Sequence, residues 1–267
     1  MPHHRRIVLG VHAAKPGNQL MRHAAEMARL LDLDVFGVFV EDEAVLNLAS
    51  FPFAREFRSS SYQWYPIDAE LVSAEFRLAA TAAKRLLDTA TQGLGVRCTF
   101  EVRRGNPSGV VADLLCSSDI VVLAGDSDAL TQSFLRAWRS ACGSAASVLL
   151  LPPGPMRRRG PVIALLAGDH AVRTAAHIAG IAGEALMLLG SADALEAAMV
   201  DLPAERVSGR TLPDVTENTL RFALGDAGER LLVLDRDGLD AEREQAVLRV
   251  AATRGTPVLL VGPGSAQ

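Results

Sequence analysis

The feature that most constrains this chain is a strand–helix–strand pattern that it carries twice. Residues 119–124 read DIVVLA, a short β-branched apolar run opened by a carboxylate. Gly125 stops the run, Asp126, Ser127 and Asp128 form a polar patch, a helical pattern follows, and SVLLLPPGP from Ser147 closes the unit. About 110 residues further on the order returns: RLLVLDRDGLD from Arg230, a helical stretch to Arg254, then TPVLLVGPG from Thr256. These runs are continuously apolar rather than alternating, which is how strands covered on both faces read. Each unit therefore predicts strand, helix and parallel strand, and the recurrence predicts two like halves.

The length of 267 residues accommodates two domains of ordinary size, each able to bury a core. Apolar residues make up 49% and charged residues 22%, as in a soluble globular protein. A net charge of -4 lacks the broad basic footprint of general nucleic-acid binding. No apolar run approaches the roughly 20 residues of a membrane helix. The apolar stretch behind the basic start MPHHRRIVLGVH is too short for a secretory signal and leads straight into a strand. Cys98, Cys116 and Cys142 are odd in number and lack CxxC spacing, so they read as buried thiols in a reducing cytoplasm, without disulfides or zinc.

In chain order, residues 7–11 form a first strand, and Asn18 caps a helix to Leu31. Residues 35–40 form a second strand. Residues 41–66 are an insertion holding six of the thirteen aromatics, and Asp68 then caps a long helix to about Thr91 with Leu71, Val72, Phe76, Ala79, Ala83, Leu86, Leu87 and Ala90 on its inner stripe. Residues 97–102 form a third strand, and Pro107 opens a helix ending near Cys116. The Pro/Gly-rich, charged segment LPPGPMRRRGP marks a boundary. We therefore expect one domain over residues 1–153, a linker over 154–161 and a second domain over 162–267. The second begins again with strand 162–168, a helix through Ala175 to Ile181 and strand 184–190, with no counterpart of the aromatic insertion. A weaker strand near 206–212 and a helix from an Asp214 cap to about Ala227 lead to the second unit. Each half reads as an α/β sandwich with a five-stranded, mostly parallel sheet and helices on both faces.

Gly105-Asn106-Pro107, a helix, and then SDIVVLAG resemble the GxP…ADLIVMG signature of the universal stress protein family. RTAAHIAGIAGEALMLLG in the second half echoes RHAAEMARLLDLDVFGVFV in the first, so the chain resembles a tandem form of that family along nearly its whole length. The likeness is good over residues 6–153 and degenerate beyond. Flavodoxin-like and electron-transfer-flavoprotein-like domains share the apolar skeleton; the Gly-x-Pro and Asp-strand-Gly arrangement favours the stress proteins. The resemblance implies that the last strands, residues 148–151 and 258–261, meet across a pseudo-twofold axis, making the chain an intramolecular pseudo-dimer; a homodimer of such chains is a further expectation.

Ligands of such sheets sit outside the carboxyl ends of strands where strand order reverses. ATP-binding relatives place an Asp after the first strand and a Gly-x-x-Gly, nine residues, Gly-Ser/Thr loop after the fourth, whose backbone N–H groups hold phosphates. This chain has His12 and Ala167 at the Asp positions and Asp128 where the second glycine belongs, a carboxylate that repels phosphate. Gly143-Ser144 stands too close to the last strand to serve; Asp128 capping a helix over 129–142 that ends at Gly143 is the simpler reading. After the corresponding strand of the second half come Asp235, Arg236, Asp237 and Gly238, again acidic, with Asp237-Gly238 a turn.

Other candidates are weaker. His12 and His170 follow first strands and read as solvated loop histidines. Asp169-His170 has no nucleophile partner, and Gly-x-Ser-x-Gly, HExxH, the Walker loop and GxGxxG are absent. Arg157-Arg158-Arg159 reads as a solvated linker and Arg103-Arg104 as a surface pair. In the insertion, Phe51, Phe53, Arg55, Phe57, Arg58 and Trp64 are residue types enriched at interfaces, offering a partner surface, a lid over the cleft or packing on their own domain. Two functions stay open. One is a non-catalytic, cytoplasmic regulatory or stress-response protein with a decayed ATP motif, no cofactor and an unidentified protein partner. The other is an adenine-nucleotide binder for ATP or AMP, using Val11, His12, Val40, Gly125 and Ser127 as its cleft.

Overall fold

The computed structural model describes residues 6–12, 18–115, 119–124, 147–200, 202 and 206–262. The first half contributes β1 (Arg6–His12), α1 (Asn18–Leu31), β2 (Asp34–Asp42), α2 (Glu43–Ser50), β3 (Arg55–Arg58), β4 (Gln63–Pro66), α3 (Ala69–Gln92), β5 (Cys98–Gly105), α4 (Pro107–Leu114), β6 (Ile120–Ala124) and β7 (Ser147–Leu151). The second contributes β8 (Val162–Leu165), α5 (Asp169–Ala182), β9 (Leu186–Gly190), α6 (Ala192–Met199), β10 (Val207–Thr211), α7 (Glu217–Leu224), β11 (Leu231–Asp235), α8 (Ala241–Arg254) and β12 (Val258–Val261).

Where the sequence reads as a sheet per half, the structure has a single ten-stranded sheet, in the order β10-β9-β8-β11-β12-β7-β6-β1-β2-β5. Neighbours are parallel except at β7 and β12, which run antiparallel with Leu149 opposite Leu259 and Val148 opposite Leu260. The expected meeting of 148–151 with 258–261 is thus a direct backbone ladder. The reason is the edge: a β7 or β12 left unpaired would expose a fully apolar strand with open N–H and C=O groups. Pairing closes both edges at once.

Helices cover both faces. Ile7, Leu9 and Val11 of β1 pack with Met21, Ala24 and Met27 of α1, Phe76, Ala83 and Leu87 of α3 and Ala171, Ala175 and Ile178 of α5. On the other face, Val148, Ile163, Leu232 and Leu260 pack with Leu220 and Leu224 of α7 and Val247, Leu248 and Ala251 of α8. Val8, Phe36, Val38 and Val40 meet Val110 and Leu114 of α4. Among the described residues no helix is long and apolar enough to cross a membrane.

Several local expectations shift. Asp68 caps α3, accepting the N–H groups of Glu70 and Leu71 at 2.9 and 3.3 Å. Leu71 itself is half exposed, and Ala80 takes an inner position instead. Asp214 does not cap α7. Thr216 does, in a reciprocal box with Thr219, while the Asp214 carbonyl accepts the Thr219 hydroxyl at 2.6 Å. α7 stops at Leu224 rather than Ala227 because Gly225 follows. The short α6, capped by Ser191 on the Ala194 N–H at 3.3 Å, buries Leu195, but two turns are too short for its apolar spacing to stand out.

Candidate functional site

Strand order reverses twice, between β1 and β6 and between β8 and β11. At such points successive connections leave in opposite directions, opening a crevice at the carboxyl ends of the strands. In the first half, β1 and β6 pair from Ile7↔Ile120 to Leu9↔Val122, and β1 continues to His12. His12 is therefore the last residue of a strand rather than a loop residue, with Val40 opposite it on β2. Val11 and Val40 are both core residues, on opposite faces of the sheet: Val11 lies with α1 and α3, and Val40 with α4. Gly125 and Ser127, like Asp128, the 129–142 segment and Gly143-Ser144, lie outside the described residues.

The second crevice is closed by the protein's own groups. Asp235, 5% exposed at the end of β11, points its carboxylate at the start of α5, where both oxygens lie 3.1 Å from the Ala171 N–H. A carboxylate on the amino-terminal turn of a helix is stabilised by free N–H donors and the positive end of the helix dipole. It occupies the position an anionic ligand would need. Space is also gone: a Cβ added to Gly168 would lie 2.8 Å from the Asp235 carboxylate, and one on Gly238 2.6 Å from both the Ala167 side chain and its carbonyl. The loops after β8 and β11 are in contact. His170 is a half-buried residue of α5, not a loop residue.

The insertion folds as α2 followed by an antiparallel hairpin. Asp42 caps α2 by accepting the Ala44 N–H at 2.9 Å. β3 and β4 pair only with each other, with Phe57 opposite Trp64 and Glu56 opposite Tyr65. The Phe57 ring lies 5.3 Å from Trp64 and 6.3 Å from Tyr62, a cross-strand cluster of the kind that stabilises hairpins. The cluster faces outward, with Tyr62 81% exposed, Trp64 61% and Phe57 49%, and Phe53 ahead of the hairpin is 89% exposed. Of the three readings of the insertion, packing into its own domain is thus not realised for these rings. Arg55 lies at the base of the hairpin, opposite Pro66, and Arg58 lies opposite Gln63.

Charged groups elsewhere serve the frame. Arg104 reaches Glu41 at 3.2 Å and Arg103 reaches Glu101 at 2.7 Å, and both arginines are exposed, the surface placement expected of them. Asp119, buried at the foot of β6, accepts Arg6 at 3.1 Å, and that guanidinium lies 4.2 Å above the Phe36 ring. Glu229, at the foot of β11, is held by Arg254 and accepts the Thr256 hydroxyl at 2.9 Å. Burial opposes its ionisation, but the hydrogen bonds from Arg254, its own backbone and Thr256 outweigh that and hold the carboxyl below its ordinary range. Cys98 is a half-buried free thiol, pushed up by burial and by Asp88; Cys116 and Cys142 lie outside the described residues.

No protein-family model and no curated protein matches the sequence. Solved structures do match. A universal stress protein from Archaeoglobus fulgidus DSM 4304 superposes with a TM-score of 0.62 at 9% identity, covering 96% of each chain. A candidate universal stress protein from Pseudomonas aeruginosa UCBPP-PA14 gives 0.57 at 14% identity, over 97% of this chain and 94% of that one. A protein of unknown function from Pseudomonas aeruginosa PAO1 gives 0.57 at 14%, over 97% and 93%. The residues that resemble the stress-protein signature thus stand in a matching fold, and over nearly its whole length this chain has the α/β fold of the universal stress proteins.

Proposed function

We propose that this chain is a non-catalytic, tandem universal-stress-protein-like regulatory protein, two α/β halves joined through β7 and β12, that acts through protein contacts rather than nucleotide turnover. The observation that carries the reading is Asp235 on the Ala171 N–H, which fills the second crevice with a carboxylate where an ATP-binding relative would need bare backbone. His12 and Ala167 in place of the family's Asp, and Asp128 in place of its glycine, agree with a decayed motif. The exposed Phe57–Trp64 hairpin supplies the surface for a protein partner.

A second reading has its own support. At the end of β6 the position in line with Asp235 is Ala124, and β1 extends past its last pairing with β6 to His12. Adenine nucleotide, ATP or AMP, is the ligand of that reading, with Val11, His12, Val40, Gly125 and Ser127 around it.

Thermal unfolding with millimolar ATP, ADP and AMP separates the two. A ligand at about 100 times its Kd stabilises by about 2.7 kcal/mol, a shift of several degrees. An unmoved midpoint supports the partner-binding reading. A shift that His12→Ala abolishes overturns it in favour of nucleotide binding in the first half.

A further inference from the structure

Between α1 and the ends of α3 and α5, under the segment joining β7 to β8, lies a cavity of about 400 Å³ that shares no lining residue with either crevice. Its floor is apolar, with Met27, Leu30 and Met156, and its rim is basic: Arg29, Arg157, Arg158, Arg159 and Arg230 face two glutamates, Glu26 and Glu184. Arg158 reaches Glu26 at 3.4 Å and Arg230 reaches Glu184 at 3.1 Å. Among the described residues, Arg29, Arg157 and Arg159 have no ion-pair partner. Three positive charges thus gather uncompensated over one cavity in a chain whose net charge is -4.

The basic run is not a free linker. The Gly160 N–H is 3.3 Å from the Glu184 carboxylate, and the Arg230 N–H donates to the Pro161 carbonyl at 2.9 Å. The Arg157 guanidinium lies over Gly228, close enough that a Cβ there would sit 2.9 Å from its Nη1. Gly160 has φ of 134° and abuts the Gly228 carbonyl so closely that no side chain fits. The backbone just after the run is therefore pinned beside β11, and the Arg157 side chain lies against the turn before that strand. Arginine forks held around a cleft of this size suit phosphoryl oxygens, which they bind in bidentate fashion.

We propose that this cavity is a binding site for a small phosphoryl polyanion, a chain of two or three linked phosphates either free or carried on a nucleoside. It is separate from the nucleotide crevice and does not depend on the outcome there. The guanidiniums of Arg157, Arg159 and Arg29 would take the phosphoryl oxygens, with Arg230 held behind them by Glu184.

The test titrates the full chain with inorganic tripolyphosphate, pyrophosphate and orthophosphate by calorimetry and thermal unfolding, at low and at 0.5 M salt (about 4 Å of screening length). Tripolyphosphate should bind more tightly than orthophosphate, weaken with salt, and lose at least tenfold in affinity in Arg157→Gln/Arg159→Gln. These side chains are exposed, so the double variant should unfold at the wild-type temperature without ligand. Arg29→Gln, on a different element, should weaken binding several-fold on its own. No binding of tripolyphosphate, or binding that is the same in the double variant, overturns the proposal. ATP compared with tripolyphosphate identifies the form: equal loss on substitution with tighter ATP binding indicates a nucleoside carrier, and no advantage for ATP indicates the bare phosphate chain.

Discussion

Leu149 lies opposite Leu259 in the antiparallel junction of the ten-stranded sheet, and both are fully buried. Val122 pairs with Leu149 in the first half as Val233 pairs with Leu259 in the second, so the two leucines occupy corresponding positions and each meets its counterpart. A strand pair related in this way can be added to either half without changing its internal order. It makes the stability of one half depend on the other.

That dependence is measurable. Leu149→Ala should destabilise by about 2–5 kcal/mol, the range for truncating a buried leucine. Combined with Leu259→Ala, the losses should depart from additivity by about 0.5–3 kcal/mol, because the side chains share one site. Urea unfolding of the four proteins reads both numbers. Two separate transitions, with each substitution moving only one, would show that the halves unfold independently across the junction.

Glu229 predicts an acid limit to stability. Its carboxyl is held below the ordinary value of 4.5, against the opposing effect of burial, chiefly by Arg254, which donates Nη2–H at 2.8 Å. A depressed carboxyl contributes stability that is complete above the unfolded value and is lost as pH falls through the folded one. Stability should therefore drop below about pH 4.5 more steeply in the wild type than in Glu229→Gln. Arg254→Ala leaves the buried carboxylate short of its main partner. We expect a loss toward the lower end of about 3–5 kcal/mol, because Arg254 is partly exposed.

His23 acts at milder pH. It is buried in α1, and burial pushes its imidazole below the ordinary 6.5, with Arg22 adding to the effect and Glu26 and a hydrogen bond to the Pro152 carbonyl opposing it. The neutral form is the folded form. Its contribution is complete above pH 6.5 and is lost as pH falls from there through the lowered folded value. His23→Leu should flatten the stability profile in that window; an unchanged profile would mean that the ring protonates freely in the folded chain.

The aromatic hairpin should prove nearly irrelevant to global stability. Phe53→Ser, at a solvent-facing position, should change it by no more than about 0.5 kcal/mol. Trp64→Ala removes the stacking against Phe57, locally about 0.5–1.5 kcal/mol, but should leave the global midpoint in place because β3 and β4 pair only with each other. With Trp138→Phe as background, the remaining Trp64 fluorescence should be quenched by iodide as readily as an exposed indole. A protected Trp64 would place the hairpin against the body of the protein.

Much of the frame could be read directly from local pattern. α1 ends at Leu31 as expected, with Asn18 its first residue rather than its cap, Asp68 caps α3, and the apolar runs at 120–124, 147–151, 231–235 and 258–261 are strands. Periodicity and capping are short-range physics, decided within a few residues. α6 and the cap of α7 escaped the same reading, because Thr216 competes with a nearby Asp214 that looks the better cap and loses only when the Thr219 hydroxyl turns back to the Asp214 carbonyl. The hairpin escaped too: Phe57 and Trp64 match the aromatic cross-strand pattern, but the turn between them carries no Asn-Gly signal.

By itself the sequence determined most of the elements, their α/β alternation and the likeness of the two halves, since those follow from residue periodicity and end signals along the chain. Only the tertiary structure decided that ten strands share one sheet, that Asp235 reaches across 64 positions to the Ala171 N–H, and that Arg29 and Arg230 join a basic run from the linker around one cavity. Such relations depend on which distant segments the strand order brings side by side, and nothing in the residues flanking any one of them records its neighbour in space.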